Sequence, residues 1–315
     1  MNIDVNYIWY KLLSTKGIGP KTIFKLYDSY KNLSDKSLSF DENFVLKNLN
    51  NNKHISNWNN IKDELCFMQY EEILKNNIAL LTLASKEYPK ILLKNLSNDA
   101  PPVLFCGGKI ELFKNDGIAI VGSRNVSETG VELTKEISKN LTNQGYNIIS
   151  GYAKGVDSLS HVTSLENDGT TTFVLSYGIF KFKKKTEFKD KKWKGNILAI
   201  SEFLPGDEWM ASRAMIRNKT IVGLSRGVVV IQAGPEKDEK GNMSGTFNSG
   251  KLALKYNIPL FVVTPRLVEN AKGNQELIKL GGIEIDNKNN IEIIKKNLVK
   301  SENQTAIKQK GFEFN

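Results

Sequence analysis

The chain has 315 residues, enough for a core domain of about 200 residues plus a smaller unit. Lysine and arginine number 44 against 34 aspartate and glutamate, a formal charge of +10 that attracts polyanions without saying which one. Cys66 and Cys106 are the only cysteines and His54 and His161 the only histidines, which argues against a disulfide framework, a metal centre or a metal cofactor.

Taken from the N-terminus, the stretch MNIDVNYIWYKLL lacks the pattern of a secretion signal. No segment approaches the ~20 apolar residues of a membrane span, so a cytoplasmic protein without a membrane partner is expected. Residues 1–80 read as a small helical domain, with Ile8, Leu12 and Leu13, then Ile23, Phe24, Leu26 and Tyr27, at helical spacing. Between these patterns, Lys16-Gly17-Ile18-Gly19-Pro20-Lys21 resembles the hairpin of helix-hairpin-helix modules, which set backbone amides against a nucleic-acid phosphate. A tight helix connection accounts for the same residues. Tyr88 to Pro102 reads as an extended linker.

From 81 to 286 strands alternate with helices. Strands are expected near 103–105, 118–122, 147–150, 172–176, 197–201, 227–231 and 259–263, and helices near 128–144, 156–167, 208–224 and 246–256. Continuous apolar runs such as Gly227-Val228-Val229-Val230-Ile231 require burial on both faces. The fold class is α/β, an extended Rossmann-like, mostly parallel sheet with helices on both faces, preceded by the small all-helical domain. Residues 287–315 read as a basic tail ending in a frayed helix or disorder.

Four elements of this frame, three strand-end or helix-start loops and one helix, offer donors to a phosphate. Gly122-Ser123-Arg124 and Ser150-Gly151-Tyr152-Ala153-Lys154-Gly155 each end a strand, and glycine there lets backbone N–H groups approach a ligand beside a helix start. Arg217-Asn218-Lys219 supplies a guanidinium fork, an amide and a further charge. Ser244-Gly245-Thr246 opens a helix with small, hydroxyl-bearing residues. Asp157 reads as a helix cap and His161 as a hydrogen-bonded core residue. The run 181–194 holds eight lysines against Glu187 and Asp190. Within it Lys183, Lys184, Lys185 and Trp193 are auxiliary contact candidates, and Phe182, Phe188 and Trp193 are candidates for base stacking. The same run also reads as a solvated lysine loop. Neither a dinucleotide fingerprint nor a Walker A loop is present. Four cradles along one sheet edge describe a groove more than a point site.

The order of Ile120-Val121-Gly122-Ser123-Arg124, Ser150 to Asp157 with His161, Ser201-Glu202, Arg217 to Ser225, Ser244-Gly245-Thr246 and Gly273 to Ile278 resembles the DNA-processing protein A family, also called DprA or Smf. The resemblance implies single-stranded DNA bound in a basic groove, no catalysis, a homodimer or higher oligomer, and delivery to a RecA-type recombinase in natural transformation. Arg124 and Lys154 match positions the family uses on the DNA backbone, and a sterile-alpha-motif-like or hairpin-type N-terminal domain fits residues 1–80. The lysine run 181–194 replaces a Tyr-Pro-containing segment, Thr264-Pro265-Arg266 replaces Pro-Gly, and no C-terminal winged helix is expected. These departures leave room for another DNA-associated role, antiphage defence included, with its own partner. The fold also resembles the LOG-type nucleotide phosphoribohydrolases, so a nucleotide sensor or N-glycosidic hydrolase is the alternative. Ser244-Gly245-Thr246 lacks the following glutamate of those enzymes.

Overall fold

Apolar runs without polar alternation have to be covered on both faces, and that requirement organises the chain. A computed structural model describes residues 4–33, 39–188, 195–286 and 290–299. Five helices come first: α1 (Val5–Ser14), α2 (Pro20–Lys31), α3 (Glu42–Asn48), α4 (Asn52–Asn59) and α5 (Asp63–Lys75). Asp4, Asp41 and Asn51 cap three of them by accepting backbone N–H groups. Their apolar stripes bury Trp9, Leu12, Ile23, Val45, Trp58 and Ile73 completely. Lys11 is buried with them because its ammonium lies 2.7 Å from both Glu42 and Asp63 and 4.4 Å from the Trp58 ring centre.

Strand β1 (Ala79–Thr82), helix α6 (Lys90–Leu96) and strand β2 (Val103–Gly108) follow. The expected division between residues 80 and 81 runs through β1. The extended linker expected from Tyr88 to Pro102 is corrected, because α6 fills it with Leu92 and Leu96 buried beside Gly223. Prolines punctuate this segment without extending it: Pro89 caps α6, and the Pro101 carbonyl accepts the Tyr88 hydroxyl at 2.5 Å.

The α/β unit then alternates as expected: β3 (Gly117–Val121), α7 (Glu128–Asn143), β4 (Asn147–Ser150), α8 (Val156–Glu166), β5 (Thr171–Val174), β6 (Ile197–Ser201), α9 (Ala211–Gly223), β7 (Gly227–Val230), α10 (Gly245–Lys255), β8 (Leu260–Val263), α11 (Lys272–Lys279) and β9 (Ile283–Ile285). The strands form one sheet in the order β1-β2-β6-β5-β4-β3-β7-β8-β9, with β2 antiparallel to both neighbours and the rest parallel. Residues 290–299, expected in the tail, form a further helix, α12, which buries Ile294 and Leu298. The rest of the tail lies outside the described residues. None of the described helices is long and apolar enough to cross a membrane.

Side-chain alternation divides the interior. Ile118 and Ile120 of β3 join Ile137, Phe261 and Leu298 on one face, while Ala119 and Val121 join the other. That second core continues through β2 into the N-terminal helices, where Tyr10 meets Phe105 edge-on at 6.3 Å between ring centres. From β3 the chain proceeds through β4, β5 and β6 in one direction, and β7 returns to the other side of β3. This reversal opens a crevice at the carboxyl ends of β3 and β7, where open α/β sheets take ligands. Because helices and sheet share one core, Tyr10→Ala is expected to cost about 3 kcal/mol of global stability in urea unfolding; a loss below about 1 kcal/mol would contradict that sharing.

Candidate functional site

A cleft of about 570 Å³ lies over this reversal. Gly122, Ser123 and Arg124 form one wall, Ser244, Gly245 and Thr246 another, and Arg217 and Asn218 of α9 line it between them. Three of the four expected cradles therefore meet in one place. The Gly122–Arg124 wall is latched from behind, since Ser123 N–H donates to the Gln232 carbonyl at 2.8 Å. The Gln232 side chain in turn accepts from the backbone and hydroxyl of Ser127. Beyond it, Asn274 accepts from Ala233 N–H and donates to the carbonyls of Ile231 and Val263, clamping the ends of β7 and β8. Ser244 caps α10 by accepting Phe247 N–H, and Asn218 donates to the Gly245 carbonyl at 3.0 Å.

The fourth cradle supports the cleft more than it lines it. Ser150 is fully buried and its hydroxyl donates to the Ile120 carbonyl at 2.6 Å. Gly151 is buried too, because a Cβ there would fall on the Arg217 guanidinium. Gly155 turns into α8 at φ +73°, with the Ser123 carbonyl where a side chain would stand. Of this loop, Ala153 lines the cleft and Lys154 is exposed beside it.

Arg217 is only 5% exposed, yet it carries a charge. Its Nη1 is 4.0 Å from the Asp157 carboxylate, and its Nε meets no acceptor among the described residues. Burial pulls this guanidinium below its ordinary pKa; Asp157 opposes that and Arg124 adds to it. Asp157 is not the cap of α8, as expected from sequence. Gly155 holds that position, and the Asp157 carboxylate accepts Ala153 N–H at 3.2 Å while facing Arg217.

Lys219, one residue past the floor, leaves the cleft. It is one of the positive charges acting on Asp99, on the flank of α9 towards α2. The lysine run is partly structural. Lys185 Nζ donates to the Tyr152 carbonyl at 2.7 Å and to the Ser158 hydroxyl, and it lies over the Tyr152 ring. Burial lowers the pKa of this ammonium. Phe188 is fully buried against Tyr152 and Phe173, which removes it as a stacking surface; Phe182 packs on the same pair. Lys183 and Lys184 are exposed, and Trp193 lies outside the described residues.

The aromatic group at the cleft is one that sequence reading passed over. Trp209, 51% exposed, lines the mouth with the Arg124 guanidinium 5.9 Å from its ring centre. Arg213 sets this loop, pairing with Asp207 at 2.7 Å and donating to the Glu208 carbonyl. No group of three His, Cys, Asp or Glu suited to a metal ion occurs among the described residues.

The profile of a family described as DNA recombination-mediator protein A matches residues 79–295. The DNA processing protein DprA of Streptococcus pneumoniae is 37% identical over 136 residues, covering 43% of this chain and 48% of that protein. Protein Smf of Synechocystis is 30% identical over 266 residues, 80% of this chain and 63% of that one. DprA of Bacillus subtilis is 33% identical over 211 residues, 66% and 68% respectively. The chain thus spans about half to two thirds of the length of these relatives. The X-ray structure of the Streptococcus pneumoniae protein superposes with a TM-score of 0.75 at 26% identity, covering 90% of this chain and 95% of that one. The DprA of Helicobacter pylori, whose structure describes a single-stranded DNA binding mode, superposes with a TM-score of 0.57 at 26% identity, over 71% and 98%.

His161 ties this region to pH. It is fully buried, with Nδ1 2.6 Å from the Thr171 hydroxyl and its ring edge-on to Phe173. Burial first, then the charges of Lys185 and Arg217, pushes the imidazole well below its ordinary pKa. The unfolded chain takes up a proton near pH 6.5 and the folded one does not, so stability is full above that pH and lost below it. The expected loss attributable to this residue is about 1.4 kcal/mol per pH unit under pH 6.5. His161→Gln should flatten that slope in denaturant titrations between pH 7 and 5; an unchanged slope would contradict the assignment.

Proposed function

The chain belongs to the DNA recombination-mediator protein A family, and from that premise we propose that it binds single-stranded DNA through the cleft above β3 and β7. The observation that carries this reading is the half-exposed Trp209 at the cleft mouth with the Arg124 guanidinium 5.9 Å from its ring centre. A guanidinium for a phosphate next to an aromatic face for a base is what an unpaired strand needs and a duplex does not offer. The Helicobacter pylori relative, described by its single-stranded DNA binding mode, supports the same ligand class.

The backbone of the strand passes Arg124 and Lys154 at the rim and receives N–H and hydroxyl donors from Ser123, Ser244, Gly245 and Thr246. Arg217 and Asn218 act from below. The role is a binding role in DNA processing, recombination or defence, exercised in the cytoplasm. Self-association and hand-over to a RecA-type recombinase or a defence partner belong to the same proposal. Catalysis does not: Asp157, a carboxylate lining the cleft, already accepts a backbone N–H and faces Arg217, a poor arrangement for a general base.

Binding of a labelled oligothymidylate across several salt concentrations tests this. Arg124→Ala with Lys154→Ala should weaken binding at least roughly tenfold and reduce the salt slope by about 1.4, two phosphates' worth on a single strand. Trp209→Ala should cost about 1–3 kcal/mol with the salt slope unchanged. Wild-type affinity in the double variant, or nucleotide turnover by the wild type, would overturn the proposal.

A further inference from the structure

Arg217 is a fork of donors without an acceptor. Among the described residues its guanidinium donates no hydrogen bond: Nε is buried with no partner, and Nη1 stands 4.0 Å from Asp157, beyond bonding distance. A guanidinium carries five N–H donors. Two carboxylates act on it, and both are engaged elsewhere, Asp157 by the Ala153 N–H and Glu202 by the Thr220 hydroxyl. Burial, and after it the neighbouring Arg124, oppose its charge. Donors buried in this way are satisfied by an anion that comes from outside.

The cleft closes at the depth of this group. Beside Arg217 it is lined by Val121 and Ile221, both buried members of the core beneath. Gly245 and Thr246 also line it and open α10, so their N–H groups have no acceptor within the helix. Arg124 and Lys154, exposed at the rim, can meet a phosphate anywhere along a strand, whereas Arg217, 5% exposed, meets only a group that descends. A phosphate inside a strand carries a sugar on each side and brings two nucleotides down with it. A terminal phosphate brings one. It also carries a charge of about −1.5 to −2 at pH 7, against the single charge of a diester. A cleft of about 570 Å³ is of the size that takes a small ligand, one nucleotide included.

We propose that the floor of the cleft is a strand-end site, in which Arg217 and the start of α10 hold the phosphate monoester at the terminus of a single strand. The half-exposed Trp209 and Met243 at the mouth supply apolar contact for the attached nucleoside. This site rests on the cleft reading and adds to it an end preference that a backbone track alone does not have.

The test uses the full chain and short oligothymidylates of one length, ending in a 5′-phosphate, a 3′-phosphate or hydroxyls only, with thymidine 5′-monophosphate as a fourth probe. One phosphorylated end should bind at least roughly tenfold tighter than the hydroxyl-ended strand, and which end does so gives the polarity. This comparison is made on the wild type and depends on no variant's folding. In Arg217→Gln the advantage should disappear; a folded Arg217→Gln that keeps it overturns the site. Equal affinity of the wild type for all three strands, with binding still lost in the Arg124→Ala, Lys154→Ala variant, overturns the strand-end site and leaves the cleft reading standing. Monophosphate binding as tight as that of the phosphorylated strand also overturns it, since the occupant is then a free nucleotide. Absence of binding to any strand removes both readings.

Discussion

A guanidinium held almost out of water is the constraint on which the cleft depends. Arg217 lies where a side chain at position 151 would stand, faces Asp157 at 4.0 Å and keeps one N–H without an acceptor among the described residues. Burying a charge with such incomplete partners is costly unless the neighbourhood is fixed around it. That cost explains a glycine at 151 and a carboxylate at 157, and it joins the β4–α8 loop to α9. Loss of any one of the three leaves the others misplaced.

Around this floor the site separates into what is held and what is free. Gln232, Asn274 and Ser244 spend their polar atoms on backbone groups and fix the walls. Arg124, Lys154 and Trp209 remain exposed at the rim. A rigid wall with exposed charges suits a polyanion that arrives with its own geometry, since little has to be ordered on contact. The positive potential of the whole chain favours the encounter, and salt weakens it.

Much of this was legible in sequence. Apolar runs located seven of the nine described strands, because they are short, rich in β-branched residues and bounded by glycine or polar turns. β1 escaped because it follows the last N-terminal helix after only three residues and so continues the helical region, and β9 because three residues with Glu284 between two isoleucines give too little pattern. Glycine-rich strand ends located the cleft, but not which residues face it: Ser150 and Lys219 turn away, and Lys185 is committed to Tyr152. Such assignments depend on the direction of each side chain, which spacing alone does not give. Trp209 was hidden for another reason, lying beside Asp207 and Glu208 in a segment with no basic neighbours before Arg213. The loop contacts of Arg213, Lys181 and Gly178 with Asp207 and Glu208, none of them legible in sequence, hold the segment that carries its ring.

The position of the strand on the protein is the central claim. Photo-crosslinking of a single-stranded oligonucleotide carrying iodouracil, followed by peptide mapping, reports it directly. Adducts concentrated on Trp209 and the loops at 122–124 and 243–246 are the predicted result. Adducts confined to the lysine run at 181–188, with the cleft untouched, would contradict it.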